Sequence, residues 1–149
     1  MKKKILCSIL IVIVLFITVG CNLKKGSNNN SNNSNEVVKT VKVIIDETEY
    51  IINLEENETA KSFVNYLPQE LTMKELNGNE KYVYLDTSLP TNASNPKRIN
   101  AGDVMLYGDN CLVIFYKSFD TSYSYTKIGH IDNLPNLGNE SIKVRLKKN

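Results

Sequence analysis

From Val37 onward, apolar and polar positions alternate in short bursts, the pattern of half-buried β-strands. VVKTVKVIID (Val37 to Asp46) places Val41, Val43 and Ile45 at every second position, with Ile44 blurring the pattern. EYIINLE resumes after Asp46-Glu47-Thr48, so the two runs predict a hairpin. The period then changes. Ala60, Phe63, Val64 and Leu67 recur at i, i+3, i+4 and i+7, which predicts a short helix with one apolar stripe. Asn57 is its expected N-cap, and Pro68 is its expected stop.

LTMKEL (Leu71 to Leu76) and KYVYL (Lys81 to Leu85) flank Asn77-Gly78, a pair that supplies the positive φ angles of a type I′ turn. From Asp86 to Ala101, two prolines (Pro90, Pro96) and several Asn and Ser predict a loop. GDVMLYGDNCLVIFY (Gly102 to Tyr116) reads as two strands joined around Gly108-Asp109-Asn110, and KSFDTSYSY (Lys117 to Tyr125) as loop. TKIGHID (Thr126 to Asp132) is a strand, NLPNLGNE a turn or short helix, and SIKVRLKK (Ser141 to Lys148) a closing strand. Seven or eight short strands with one or two small helices predict a mainly β, closed barrel over residues 37–149.

The first 36 residues follow other rules. MKKK precedes ILCSILIVIVLFITV (Ile5 to Val19), an apolar run of 15 residues. That suits the core of a signal peptide and falls short of the ~20 residues of a spanning helix. The run ends in Thr18-Val19-Gly20-Cys21, which resembles the bacterial lipobox, with Thr18 departing from the usual leucine-like residue. The resemblance implies cleavage after residue 20 and lipidation of Cys21, because two or more acyl chains hold a protein on a membrane where one does not. Residues 21–36 contain GSNNNSNNSN, which offers no apolar surface to pack and reads as a disordered tether. Its ~15 residues would span roughly 20 Å as a flexible coil. The expected location is the extracytoplasmic face of a bacterial cell membrane, with the lipid as membrane partner.

Charge and cysteines narrow the function. The net charge of +2 comes from Lys2, Lys3 and Lys4; without them the 16 acidic residues outnumber the basic ones by one. No basic face of the kind that nucleic acid requires is evident. Cys7 leaves with the signal peptide and Cys21 carries lipid, so Cys111 lacks a disulfide partner and reads as a small buried hydrophobe. With one histidine, no metal site is expected: Asp46-Glu47, Glu55-Glu56-Glu58 and Asp103-Asp109 lack calcium-loop spacing. Glycine signatures for phosphate or dinucleotide binding are absent, and no cofactor is implied.

TAKSFVNYLP, LNGNEKYVYL, AGDVMLYGDNCLVIFY and KIGHID, in this order, resemble the bacterial cyclophilin-like domain family over about Val41 to Val144. The resemblance implies a cyclophilin-like β-barrel, a fold that in cyclophilins catalyses prolyl isomerisation. The isomerase set of that fold, an arginine in a Phe-His-Arg segment and a glutamine in a Gln-Gly-Gly-Asp segment, does not match. Arg98 and Arg145 lack that context, Gln69 follows Pro68, and the chain has no tryptophan. No catalytic residue is therefore assigned.

The lone histidine, His130, stands beside Gly129 and two residues before Asp132. A nucleophilic relay needs a nucleophile next to the imidazole, and Ser118, Ser122 and Ser124 lack a nucleophile-elbow setting. In a strand, Ile128, His130 and Asp132 would share one face, which makes His130 a partly exposed strand residue. The better surface candidate is the tyrosine-rich segment. Tyr116, Ser118, Phe119, Tyr123 and Tyr125, with His130, form the candidate ligand or partner surface, because tyrosines bury area at modest entropic cost. The competing reading has Tyr116 and Tyr125, at strand ends, packing over the barrel mouth. The loop from Asp86 to Asn100 would offer the opposite lip through Asn92 and Asn95, or serve as a plain connection. The expectation is a lipid-anchored, non-catalytic binding module for a peptide or protein partner, of unspecified oligomeric state. The alternative is a peptidyl-prolyl isomerase with a non-standard site assisting secreted proteins. A supporting role beside a flavin or redox partner is weaker, since nothing in the sequence holds a flavin.

Overall fold

A computed structural model describes residues 38–149. Residues 1–37, on which the expected signal segment, the expected lipidation at Cys21 and the expected tether fall, lie outside the described residues. Strand β1 (Thr40–Ile45) and β2 (Thr48–Leu54) form the first hairpin, with Asp46 and Glu47 both at positive φ (42° and 76°) in a two-residue turn. Val41, Val43 and Ile45 point inward, as the alternation requires.

Helix α1 (Glu58–Tyr66) starts at Asn57, whose Oδ1 accepts a 2.8 Å hydrogen bond from the Ala60 N–H. The Asn57 amide also donates to the Lys127 carbonyl, which ties the helix start to the sheet. Phe63, Val64 and Leu67 pack into the barrel core. Strand β3 (Gln69–Leu76) follows directly and pairs with β4 (Glu80–Tyr84). Their turn has positive φ at Asn77 (57°) and Gly78 (68°), as expected, but Asn79 is an extra residue before Glu80 pairs with Leu76.

The remaining elements are β5 (Arg98–Ile99), β6 (Asp103–Tyr107), β7 (Cys111–Phe115), β8 (Phe119–Asp120), β9 (Thr126–Ile131) and β10 (Ile142–Lys148). Eight strands close an antiparallel barrel in the order β1-β10-β3-β4-β7-β6-β9-β2. The short strands β5 and β8 pair outside it, within segments that the sequence reads as loop. One helix is present among the described residues, and residues 133–140 form turns rather than a second one.

Two cores result. Inward residues of the barrel strands, such as Val43, Leu112, Ile114 and Leu146, form the larger. Met105, Cys111, Val113 and Phe115, on the outer faces of β6 and β7, form the second with Ile99 and Tyr125. Here the unbroken apolar run CLVIF has its reason: β7 is buried on both sides.

The expected alternation fails in β9. Val104 pairs with Gly129 but Met105 pairs with Lys127, so Ile128 is an extra residue in a β-bulge. Ile128 and Ile131 therefore both enter the barrel core, while His130 faces outward. The shared face predicted for Ile128 and His130 is corrected by this one inserted residue.

Candidate functional site

Strand β4 places Lys81 and Val83 toward the barrel interior and Glu80, Tyr82 and Tyr84 on the outer face. Beside them, β7 presents Cys111 and Val113, and Tyr107 ends β6. The 117–125 segment rises over this sheet and contributes Phe119, Tyr123 and Tyr125. Together with the β3–β4 turn, these elements enclose a groove of about 320 Å³. Four large apolar side chains are conspicuously exposed among the described residues: Leu76 (42%), Tyr84 (66%), Tyr107 (46%) and Tyr123 (61%). All four line this groove.

The rings hold one another at defined angles. Tyr107 and Tyr123 meet edge to face at 6.2 Å and 89°, and Tyr82 and Tyr84 at 6.0 Å and 83°. Tyr125 is largely buried and stands perpendicular to Phe115 at 5.5 Å. Its backbone exchanges two 3.0 Å hydrogen bonds with Ser94. Asn95 donates to the Ser122 carbonyl, and Arg98 pairs with Asp120 at 2.9 Å. The loop over 86–100 thus supports the tyrosine segment, and neither Asn92 nor Asn95 lines the groove.

Charge in the groove is one-sided. Glu80 is the single ionisable acid or base of ordinary carboxylate or amine type in its lining, and burial, reinforced by Glu75, pushes its carboxyl above the usual range. Burial and, secondarily, Glu80 push the Cys111 thiol up to about 11. Burial also raises the Tyr125 phenol.

The candidate surface residues separate. Phe119, Tyr123 and Tyr125 converge on the groove. Tyr116 does not: it is 3% exposed, packs in the barrel core and donates to Glu75 Oε1 at 3.3 Å. Placing Tyr116 on the ligand surface is therefore corrected, because the residue after β7 turns inward at the barrel end. Lys81, fully buried, donates to the Gly138 and Glu140 carbonyls and lies 5.1 Å from the Tyr116 ring centre. Ser118 accepts from the Ala101 N–H and positions the loop rather than the groove.

His130 lies away from the groove lining. Strand pairing sets it opposite Asp103 on β6 and Asn53 on β2. Its Nδ1 is 3.1 Å from Asp103 Oδ1, and its Nε2 is 3.7 Å from Asp132. Asp103, buried, also accepts from the Asn100 N–H and faces Lys127 Nζ at 3.3 Å. The carboxylate is thus a hub that closes the turn before β6, and no hydroxyl or thiol hydrogen-bonds to His130 among the described residues. The described residues contain no cluster of His, Cys, Asp and Glu that could hold a metal ion. A wider depression of about 740 Å³ beside the β1–β2 turn is lined by charges of both signs and no aromatic ring.

Residues 43–147 match the cyclophilin-like family. The chain belongs to that family. The cyclophilin-like barrel is also similar to the solution structure of a hypothetical protein from Archaeoglobus fulgidus. The two share 18% identity and a TM-score of 0.59, covering 76% of this chain and 96% of the other. At that identity the likeness is one of fold. No curated protein sequence matches the chain. Of the groove, Glu80, Tyr82, Tyr84 and Tyr107 escape the sequence reading. The available signal was the alternation in EKYVY, which sets two tyrosines and a glutamate on the face opposite Lys81 and Val83.

Proposed function

We propose that this chain is a binding module: a cyclophilin-like barrel that holds a peptide or protein segment in its aromatic groove without turning it over. One observation carries the reading. All four of the large apolar side chains most exposed among the described residues line one groove, and contiguous exposed apolar surface marks interaction sites. Isomerase chemistry needs a guanidinium near the prolyl nitrogen, to lower an amide rotation barrier of ~18–20 kcal/mol. Arg98 instead pairs with Asp120, Gln69 donates to the Tyr66 carbonyl, and neither lines the groove.

The test is panning of a random peptide display library against the chain, then competition with variants. Tyr84→Ala and Tyr123→Ala should each abolish enrichment while leaving the circular dichroism spectrum unchanged. Enrichment that survives both substitutions refutes the groove. A protease-coupled assay on Ala-Pro peptides completes it: turnover above the uncatalysed rate, lost in Arg98→Ala, sinks the non-catalytic reading.

We further propose that a lipid on Cys21 tethers the barrel to the extracytoplasmic face of a bacterial membrane, on the strength of the apolar run and the Val19-Gly20-Cys21 ending. Cys21→Ala should release the protein to the soluble fraction; unchanged membrane retention overturns the anchor.

A further inference from the structure

The groove has a chemical bias beyond its aromatic walls. Its rings stand in perpendicular pairs, Tyr107 with Tyr123 and Tyr82 with Tyr84, so ring faces and edges bound one volume on several sides. Ring faces are negative, and such boxes are the known means of holding an ammonium or guanidinium. The lining contains the Glu80 carboxylate and no lysine, arginine or histidine. Glu80 makes no ion pair among the described residues, although a second carboxylate, Glu75, lies near enough to raise its pKa. At the same end Asn79 Oδ1 is buried without a hydrogen-bond partner among the described residues. A negative, ring-walled groove that lacks a cation is complementary to one.

We propose that the aromatic groove selects a cationic group, a protonated amine or a guanidinium carried on a peptide, with Glu80 as its charge partner. The proposal rests on the groove being a binding site. The groove's 320 Å³ is at the small end of ligand clefts and suits one or two side chains, not a large cofactor. The base of the cation's stem would lie on Val113 and Cys111, apolar contacts that methylenes of lysine or arginine make well.

The experiment is isothermal titration calorimetry of the full chain in detergent micelles with five acetylated, amidated GGXGG peptides. X is lysine, trimethyl-lysine, arginine, norleucine or glutamate; norleucine keeps the lysine stem and removes its charge. The lysine, trimethyl-lysine and arginine peptides should bind about tenfold tighter than the norleucine peptide, the size of a partly desolvated cation–π contact. The glutamate peptide should bind weakest. Glu80→Gln should remove most of that preference for cationic over norleucine peptide. Tyr123→Ala, at an exposed position, is the second variant and should weaken all cationic peptides. Equal affinity for lysine and norleucine peptides overturns the cation preference and leaves the groove as a binding site. No binding of any of the five, with enrichment of library-selected peptides still abolished by Tyr123→Ala, also overturns it. Failure of both assays takes the groove reading down as well.

Discussion

Gly102→Ala tests the hub around Asp103. Gly102 has φ +98°, a conformation that L side chains rarely adopt. Its N–H donates to the Phe115 carbonyl at 2.7 Å and its carbonyl accepts from the Ile131 N–H at 2.8 Å, so the residue is pinned between β7 and β9. A Cβ there would overlap the Ile131 carbonyl oxygen and approach His130 Cε1 at 2.8 Å. The obstacle is partly backbone and cannot swing away. The left-handed penalty is about 1–2 kcal/mol, and overpacking adds about 1–3 kcal/mol. The total, about 2–5 kcal/mol, is a large part of the ~5–15 kcal/mol stability of a small domain. Gly78 (φ +68°) and Gly108 (φ +62°) provide the control, because nothing lies within 4 Å of a Cβ at either. Alanine at those sites should cost only the backbone penalty. Equilibrium urea unfolding, followed by far-ultraviolet circular dichroism, reads the difference. If Gly102→Ala loses no more stability than Gly78→Ala and Gly108→Ala, the packing of this turn against His130 is not what the geometry implies.

Tyr116→Ala, emptying a core position, should cost about 3–5 kcal/mol by urea midpoint, whereas Tyr123→Ala should change stability by less than about 1 kcal/mol. Cys111 should resist iodoacetamide at pH 8 and react once denaturant is added, because its thiol stays protonated up to about 11. In the unfolded chain this thiol ionises from an ordinary value of 9.0, so its contribution to stability is intact below pH 9 and is lost as pH rises toward 11. Cys111→Ala should soften that alkaline decline in urea midpoints. Burial pulls the Lys81 ammonium below its ordinary 10.5, against the opposing pull of Glu75, Glu140 and Asp46. Folding therefore expels a proton just below pH 10.5. The stability of the wild type relative to Lys81→Met should rise as pH rises through that window, and a relative fall refutes the assignment.

Much of the barrel is legible locally. Val41, Val43 and Ile45 alternate, Asn57 caps α1, and Asn77-Gly78 turns β3 into β4. Each of these is a short-range preference of a residue for a backbone geometry or a solvent-facing side. Half of the groove's aromatic wall is legible too, in the cluster Phe119, Tyr123 and Tyr125. The reading stops where a residue's role depends on a distant strand. Tyr116 belongs to the same tyrosine-rich stretch by composition, yet the barrel takes its side chain inside. Ser118 is polar like its neighbours but is spent on Ala101.

The sequence by itself therefore determined the alternation of β1 and β4, the helix after Asn57 with its cap and stop, and the membership that those ordered segments carry, because these depend on neighbours within a few residues. The tertiary structure alone decided that Tyr84, Tyr107 and Tyr123 share a groove. They meet because β4, β7 and β6 are adjacent in the closed sheet and because the 117–125 segment folds over their outer face. It also decided the fate of TKIGHID. A single bulged residue, Ile128, sent two isoleucines into the core and left His130 on the outer face, bound to Asp103. Strand register is settled by pairing with partners far along the chain, and periodicity within one strand does not reveal where that pairing slips.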